Sequence, residues 1–127
     1  MKLIDTNILI RFFSNDLPVE AASAKQLLTS CKAGSLIVTD YVLAELCFVL
    51  EFNTFYRYPR DRVGRCLGVL LDLNSVHLSV FATKAISYYM DDPKLDMTDC
   101  LLLAQSQIDS HDLMTLDKHL AKLSSIK

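Results

Sequence analysis

At 127 residues and 14.3 kDa the chain has room for one hydrophobic core and little else. A hydrophobic content of 51% with mean hydropathy +0.26 argues against intrinsic disorder, and no apolar run approaches the roughly 20 residues of a membrane span. The formal charge of −2 does not announce a nucleic-acid binder, so any such role must rest on a local patch.

Short apolar runs alternate with longer helical patterns, with no linker, repeat or low-complexity tract, so residues 1–127 read as a single domain. Lys2–Asp5 is predicted as a strand ending in an acid, followed by a short helix over Thr6–Phe13. Pro18–Lys32 places Ala24, Leu27, Leu28 and Cys31 on one face at helical spacing, and Gly34 stops it. Leu36–Thr39 reads as a second strand. Tyr41–Phe52 is too long for a strand and reads as a buried helix. Pro59 opens a helix in which Val63, Leu67, Leu70 and Leu71 share a face. Ser75–Ser79 is a third strand, leading into a helix over Val80–Met90 that Asp91-Asp92-Pro93 ends. Thr98–Asp109 is helical, Asp112–Thr115 a short strand, and Asp117–Leu123 a final helix. Strands separated by helices need crossovers rather than hairpins, which implies a mostly parallel sheet covered by helices. The fold class is α/β.

Several chemistries drop out. Cys31, Cys47, Cys66 and Cys100 form no CxxC pair, which argues against a zinc site or a disulfide framework and for reduced thiols in the cytoplasm. The opening MKLIDTNILI carries an acid where a signal peptide is apolar. Three glycines cannot supply a GxGxxG or GxxxxGK[ST] loop. His77, His111 and His119 lack zinc-ligand spacing.

The informative residues are acids. Glu45 is the only charge in YVLAELCFVL, so it is expected to be buried beside a cation, buried neutral, or open to a cavity. Asp5 and Asp117 follow strands, where ligand sites of parallel sheets lie, yet each also suits a helix N-cap. Asp99 opens a helix beside the apolar run Cys100–Ala104, with Asp96 three residues before it on the same face or as the cap; a helix N-terminus favours such charges for structural reasons alone. If four carboxylates converge within about 5 Å, each pair costs on the order of 3 kcal/mol at an effective dielectric near 20. Such a cluster persists only with protons or cations, and Mg²⁺ or Mn²⁺ suits an all-oxygen site.

The segments MKLIDTNILI, TDYVLAEL, LDMTDCLLLAQ and LMTLDKHL, in this order and spacing, resemble the PIN-domain ribonucleases, above all the VapC-type toxins of toxin–antitoxin pairs. The resemblance covers essentially the whole chain. It implies a three-layer α/β/α fold with a central, mostly parallel sheet of four or five short strands. It also implies Mg²⁺- or Mn²⁺-dependent RNA cleavage, a homodimer, and inhibition by a small VapB-type antitoxin. The acidic quartet it implies is Asp5, Glu45, Asp99 and Asp117, with Asp96 an additional acid and Asn7 and Thr115 polar residues lining the site. One position departs from the pattern: His119 stands where a second acid often follows the last Asp, and puts a cation or proton donor near the site.

Such a site supports in-line phosphodiester hydrolysis without a covalent intermediate, the metal supplying the activated water. Asp5, Glu45 and Asp99 are the expected direct or water-mediated ligands, and Asp117 completes the set. A polyanion needs a basic rim. The segment FYRYPRDRVGR offers Arg57, Arg60, Arg62 and Arg65 against Asp61, interleaved with Tyr56 and Tyr58, a composition that stacks bases and binds phosphates or is simply a solvated helix face. Arg11 and Lys118 lie near the expected ligands in sequence and are the better candidates for phosphate contacts at the site. Structured RNA, tRNA in particular, is the substrate class the resemblance suggests. The alternatives are a non-catalytic PIN-like module that binds RNA or protein, and a receiver-type phosphoacceptor domain. The latter needs paired acids after the first strand, where Asp5-Thr6-Asn7 supplies one.

Overall fold

The computed structural model describes residues 1–126. In chain order the elements are β1 (Lys2–Leu3), α1 (Thr6–Ser14), α2 (Pro18–Ser30), β2 (Leu36–Ile37), α3 (Asp40–Phe52) and α4 (Arg60–Asp72). They continue with β3 (Val76–His77), α5 (Val80–Asp91), α6 (Met97–Ile108) and α7 (Lys118–Ser124). The strands form a parallel sheet in the order β1-β2-β3, with Lys2 opposite Leu36 and Leu36 opposite Val76. Helices α1 and α2 cross from β1 to β2, and α3 and α4 cross from β2 to β3, as parallel neighbours require. The α/β class stands.

The fourth expected strand does not form. Residues 112–116 run on without a place in the sheet, and Met114 and Leu116 are exposed. Leu113 packs against the core without a strand neighbour to pair with, and among the described residues the sheet has three strands instead of the four or five expected.

The helices bury what their spacing dictates. Leu43, Leu46, Cys47 and Leu50 are the buried side of α3, an i, i+3, i+4, i+7 stripe. Ala82, Ala85, Ile86 and Tyr89 do the same for α5, and Met97, Cys100, Leu103 and Ala104 for α6. All belong to one cluster with Leu9, Leu36 and Val38. On α4 the buried face is Val63, Leu67 and Leu70, while Leu71, expected beside them, is exposed because it lies a further 100° round the helix. On α2, Ala24 and Leu28 are buried with Leu27 at the margin, while Cys31, expected on the same face, follows the helix end in extended backbone. Helix α3 is not enclosed all round: Tyr41 is 75% exposed, Phe48 65% and Phe52 56%. Among the described residues no helix is long and apolar enough to cross a membrane.

Two caps align the helices that leave the C-terminal ends of β2 and β3. The Thr39 hydroxyl accepts from Val42 N, and Ser79 Oγ accepts from Ala82 N while donating to Asp40 Oδ1 at 2.6 Å. Leu46 is fully buried at the centre of α3. Leu46→Ala is expected to cost about 3 kcal/mol in urea unfolding, as buried leucine truncations do.

Candidate active site

Asp5 occupies the N-cap position of α1 with extended backbone, but its side chain makes no capping bond. The structural role open to it is therefore not performed. The side chain is exposed and, with Asn7, Arg11 and Glu20, lines a cleft of about 530 Å³ between α1 and α2.

Asp96 and Asp99 form a reciprocal capping box. Asp99 N donates to Asp96 Oδ1 at 2.8 Å, and Asp96 N donates to Asp99 Oδ2 at 3.4 Å. Asp117 caps α7 by accepting from Leu120 N at 2.9 Å, and its own N–H donates to Thr115 Oγ1 at 3.1 Å. Asp99 is the half-buried member. Burial first, and then the negative charge of Asp96, hold its carboxyl above the usual carboxylate range, with Asp117 adding to the same effect. The last two acidic motifs, far apart in sequence, thus stand within electrostatic reach of each other.

Glu45 corrects the expectation of a buried acid. It is exposed on α3, on the turn between Tyr41 and Phe48, so no burial strain acts on it. The run YVLAELCFVL is apolar on two faces, and only one of them is covered. The start of α6 does lie against α3: Ala44, Cys47, Phe48 and Glu51 share a cleft of about 290 Å³ with Asp96 and Met97.

The expected convergence of four carboxylates within about 5 Å is not observed. Among the described residues no group of three or more His, Cys, Asp or Glu side chains is close enough to hold a metal ion. Part of the reason is visible in the caps, since Asp96 and Asp117 turn oxygens toward backbone amides. The available donors are carboxylate oxygens, which fits a hard divalent cation rather than zinc.

The basic residues divide sharply. Arg11 is committed to the fold: its Nη1 donates to Asp16 Oδ1 at 3.2 Å and its Nε to Glu20 Oε2 at 3.0 Å, with the Tyr56 hydroxyl beside it. Arg60, expected on an RNA-facing rim, is turned inward onto backbone carbonyls of residues 89–95. Arg62 lies over the Tyr58 ring, 3.7 Å from its centroid. Arg57, at φ +44°, and Lys118 are exposed and form no ion pair among the described residues.

His119 reaches Asp92 rather than Asp117, the cap of its own helix, with Nε2 2.6 Å from Asp92 Oδ2. That contact, aided by the Lys94 amide, holds the Asp92 carboxyl below its usual range. A depressed carboxylate stabilises the fold above its unfolded pKa and loses that contribution as pH falls through the folded value. Asp92→Asn is therefore expected to lower the melting temperature at pH 6, with the difference vanishing in acid below the carboxylate range. Thermal unfolding across a pH series reads this directly. Neither the inward turn of Arg60 nor the Asp92–His119 contact carries a sequence signal, because the partners are 27 to 35 residues away.

A family model for the PIN domain matches residues 2–125. No curated protein and no solved structure matches the chain. PIN domains are commonly nucleases, and their fold is commonly associated with nucleic acid and divalent metal ions. With Asp5 two residues past the first strand of a parallel sheet and the match running through all four acidic motifs, the chain belongs to the PIN-domain family.

Proposed function

We propose that the chain is a divalent-metal-dependent endoribonuclease of the VapC toxin type, cutting structured RNA such as tRNA in the cytoplasm. A small VapB-type antitoxin neutralises it, and it works as a homodimer. The observation that carries the reading is the match to the PIN domain through all four acidic motifs, with Asp96 and Asp99 locked in a capping box at the start of α6 and Asp117 within electrostatic reach. A divalent cation offsets the repulsion among these carboxylates, and Asp99 has the most to gain from one.

In this reading Asp5, Glu45 and Asp99 hold Mg²⁺ or Mn²⁺, and Asp117 completes the set. When bound, the ion supplies an activated water and charge stabilisation at the leaving oxygen. The rest falls to side chains of the chain itself. Asp5 is free of a capping bond, so its carboxylate is available without loss to α1. Thr115 Oγ1 fixes the backbone of Asp117, and Asn7 flanks Asp5 at the cleft. Lys118, next to Asp117, and Arg57 meet the phosphates of the incoming strand. Within the acidic motifs the Cys100 thiol is fully buried and the His119 imidazole is engaged with Asp92, which supports direct hydrolysis over a covalent intermediate. The exposed Tyr41, Phe48 and Phe52 supply apolar surface for a partner chain.

A second reading, an RNA-binding PIN module that does not cut, is favoured by one observation, the lack of a three-donor group among the described residues. Incubation with total RNA separates the two. Cleavage in Mn²⁺ or Mg²⁺ that EDTA abolishes is the expected result. Equal cleavage in excess EDTA overturns the metal dependence, and tight binding without cleavage in either ion establishes the second reading.

A further inference from the structure

We infer that Arg60 is a positioning residue for the acidic site, clamping the segment from which Asp96 and Asp99 are presented; the inference rests on the nuclease reading above. Arg60 opens α4, on the segment whose composition suggests an RNA-binding rim, but its guanidinium is turned into the protein. Nη2 donates to Tyr89 O at 3.1 Å, to Asp92 O at 3.2 Å and to Leu95 O, and Nη1 donates to Pro93 O at 3.3 Å. The guanidinium carbon sits 3.5 Å from the centroid of the Tyr89 ring, and Glu51 Oε2 lies 3.8 Å from Nη1 while accepting from the Tyr89 hydroxyl.

These contacts answer a specific problem. Helix α5 ends at Asp91 with carbonyls that lack helical partners, and the chain must turn within residues 92–95 to start α6. One planar fork with several donors meets the Tyr89 carbonyl in the last turn of α5 and those of Asp92, Pro93 and Leu95 in the connection, which a lysine ammonium cannot match in geometry. Leu95, whose carbonyl Arg60 holds, immediately precedes Asp96, the cap whose side chain accepts from Asp99 N. The same turn is tied from the other side, because Asp92 holds His119, two residues beyond Asp117. The clamp therefore sets α6 and α7 against a common support, and with them the approach of Asp99 and Asp117. Its cost is visible too: Arg60 Nε is buried without a hydrogen-bond partner among the described residues.

The test compares wild type with Arg60→Met and Arg60→Lys, using Leu28→Ala as a core variant of reduced stability away from the turn. Two quantities are read: amide hydrogen exchange without metal, and the Mn²⁺ concentration that half-saturates binding in a calorimetric titration. Arg60→Met is expected to speed exchange at Asp99 and Cys100 about tenfold beyond any change at Leu46 and Leu67, and to raise half-saturating Mn²⁺ about tenfold. Arg60→Lys should fall between, and serves if Arg60→Met does not fold. Leu28→Ala should change exchange broadly and leave Mn²⁺ half-saturation alone. Uniformly faster exchange in the Arg60 variants, with unchanged Mn²⁺ half-saturation, overturns the proposal by making the residue a general stabiliser. A raised KM for RNA and a shallower salt slope, with both readouts unmoved, overturn it in favour of a phosphate contact. If wild type binds no Mn²⁺, the nuclease reading falls and the exchange pattern alone decides the role of Arg60.

Discussion

Asp99→Asn is expected to lower RNA cleavage about 100-fold or more, the scale of losing one electrostatic group at a phosphoryl centre, while raising the melting temperature. The two effects have one cause. Burial, Asp96 and Asp117 make the charged form of Asp99 unfavourable in the folded chain, so its folded pKa lies above its unfolded one. For an acid shifted in that direction, the folded state binds the proton more tightly, and stability is lost as pH rises from the usual carboxylate range through the raised value. The neutral amide removes that loss, and its oxygen still accepts from Asp96 N, so the capping box survives. The gap in melting temperature between Asp99→Asn and wild type should therefore open as pH rises and close in acid. Equal melting temperatures at pH 7 and pH 3 would remove the charge argument, whatever happened to activity.

Glu45→Gln should separate activity from stability in the other sense. The side chain is exposed on α3, so its replacement falls within the roughly 0.5 kcal/mol typical of surface substitutions. Cleavage is nonetheless expected to fall about 100-fold, because the proposed function needs a third carboxylate from this helix. Chemical denaturation and single-turnover cleavage on the same preparation check both halves. Unchanged activity would remove Glu45 from the site and reduce α3 to scaffold.

Much of the fold is legible in the sequence because helices advertise their buried stripes. The spacing Leu43, Leu46, Cys47, Leu50 locates α3 and its inward side, and Pro59 marks the start of α4, whereas α2 ends at Ser30, short of the Gly34 expected to stop it. Asp112–Thr115 misleads because a short apolar run can set one side chain, Leu113, against the core without a neighbouring strand to pair with. Glu45 misleads for a related reason: a run apolar on two sides predicts enclosure only if both sides are covered, and Tyr41, Phe48 and Phe52 are not. At the site, the acidic motifs and their association with helix starts are legible, and so is the Asp96–Asp99 spacing that closes as a capping box. What the sequence conceals is the use of its cations. Arg60 looks like a phosphate contact by the composition of its segment and Arg11 by its nearness to Asp5 in sequence, but their partners, Asp16, Glu20 and the carbonyls of residues 89–95, are chosen by tertiary packing.

Anomalous scattering from crystals soaked in Mn²⁺ tests most directly whether dispersed carboxylates act as one cation site. The expected result is a peak with oxygens of Asp5, Glu45 and Asp99 at about 2.0–2.5 Å and Asp117 close by. A peak held by other acids, or none at saturating Mn²⁺ in crystals where these side chains are accessible, would contradict it.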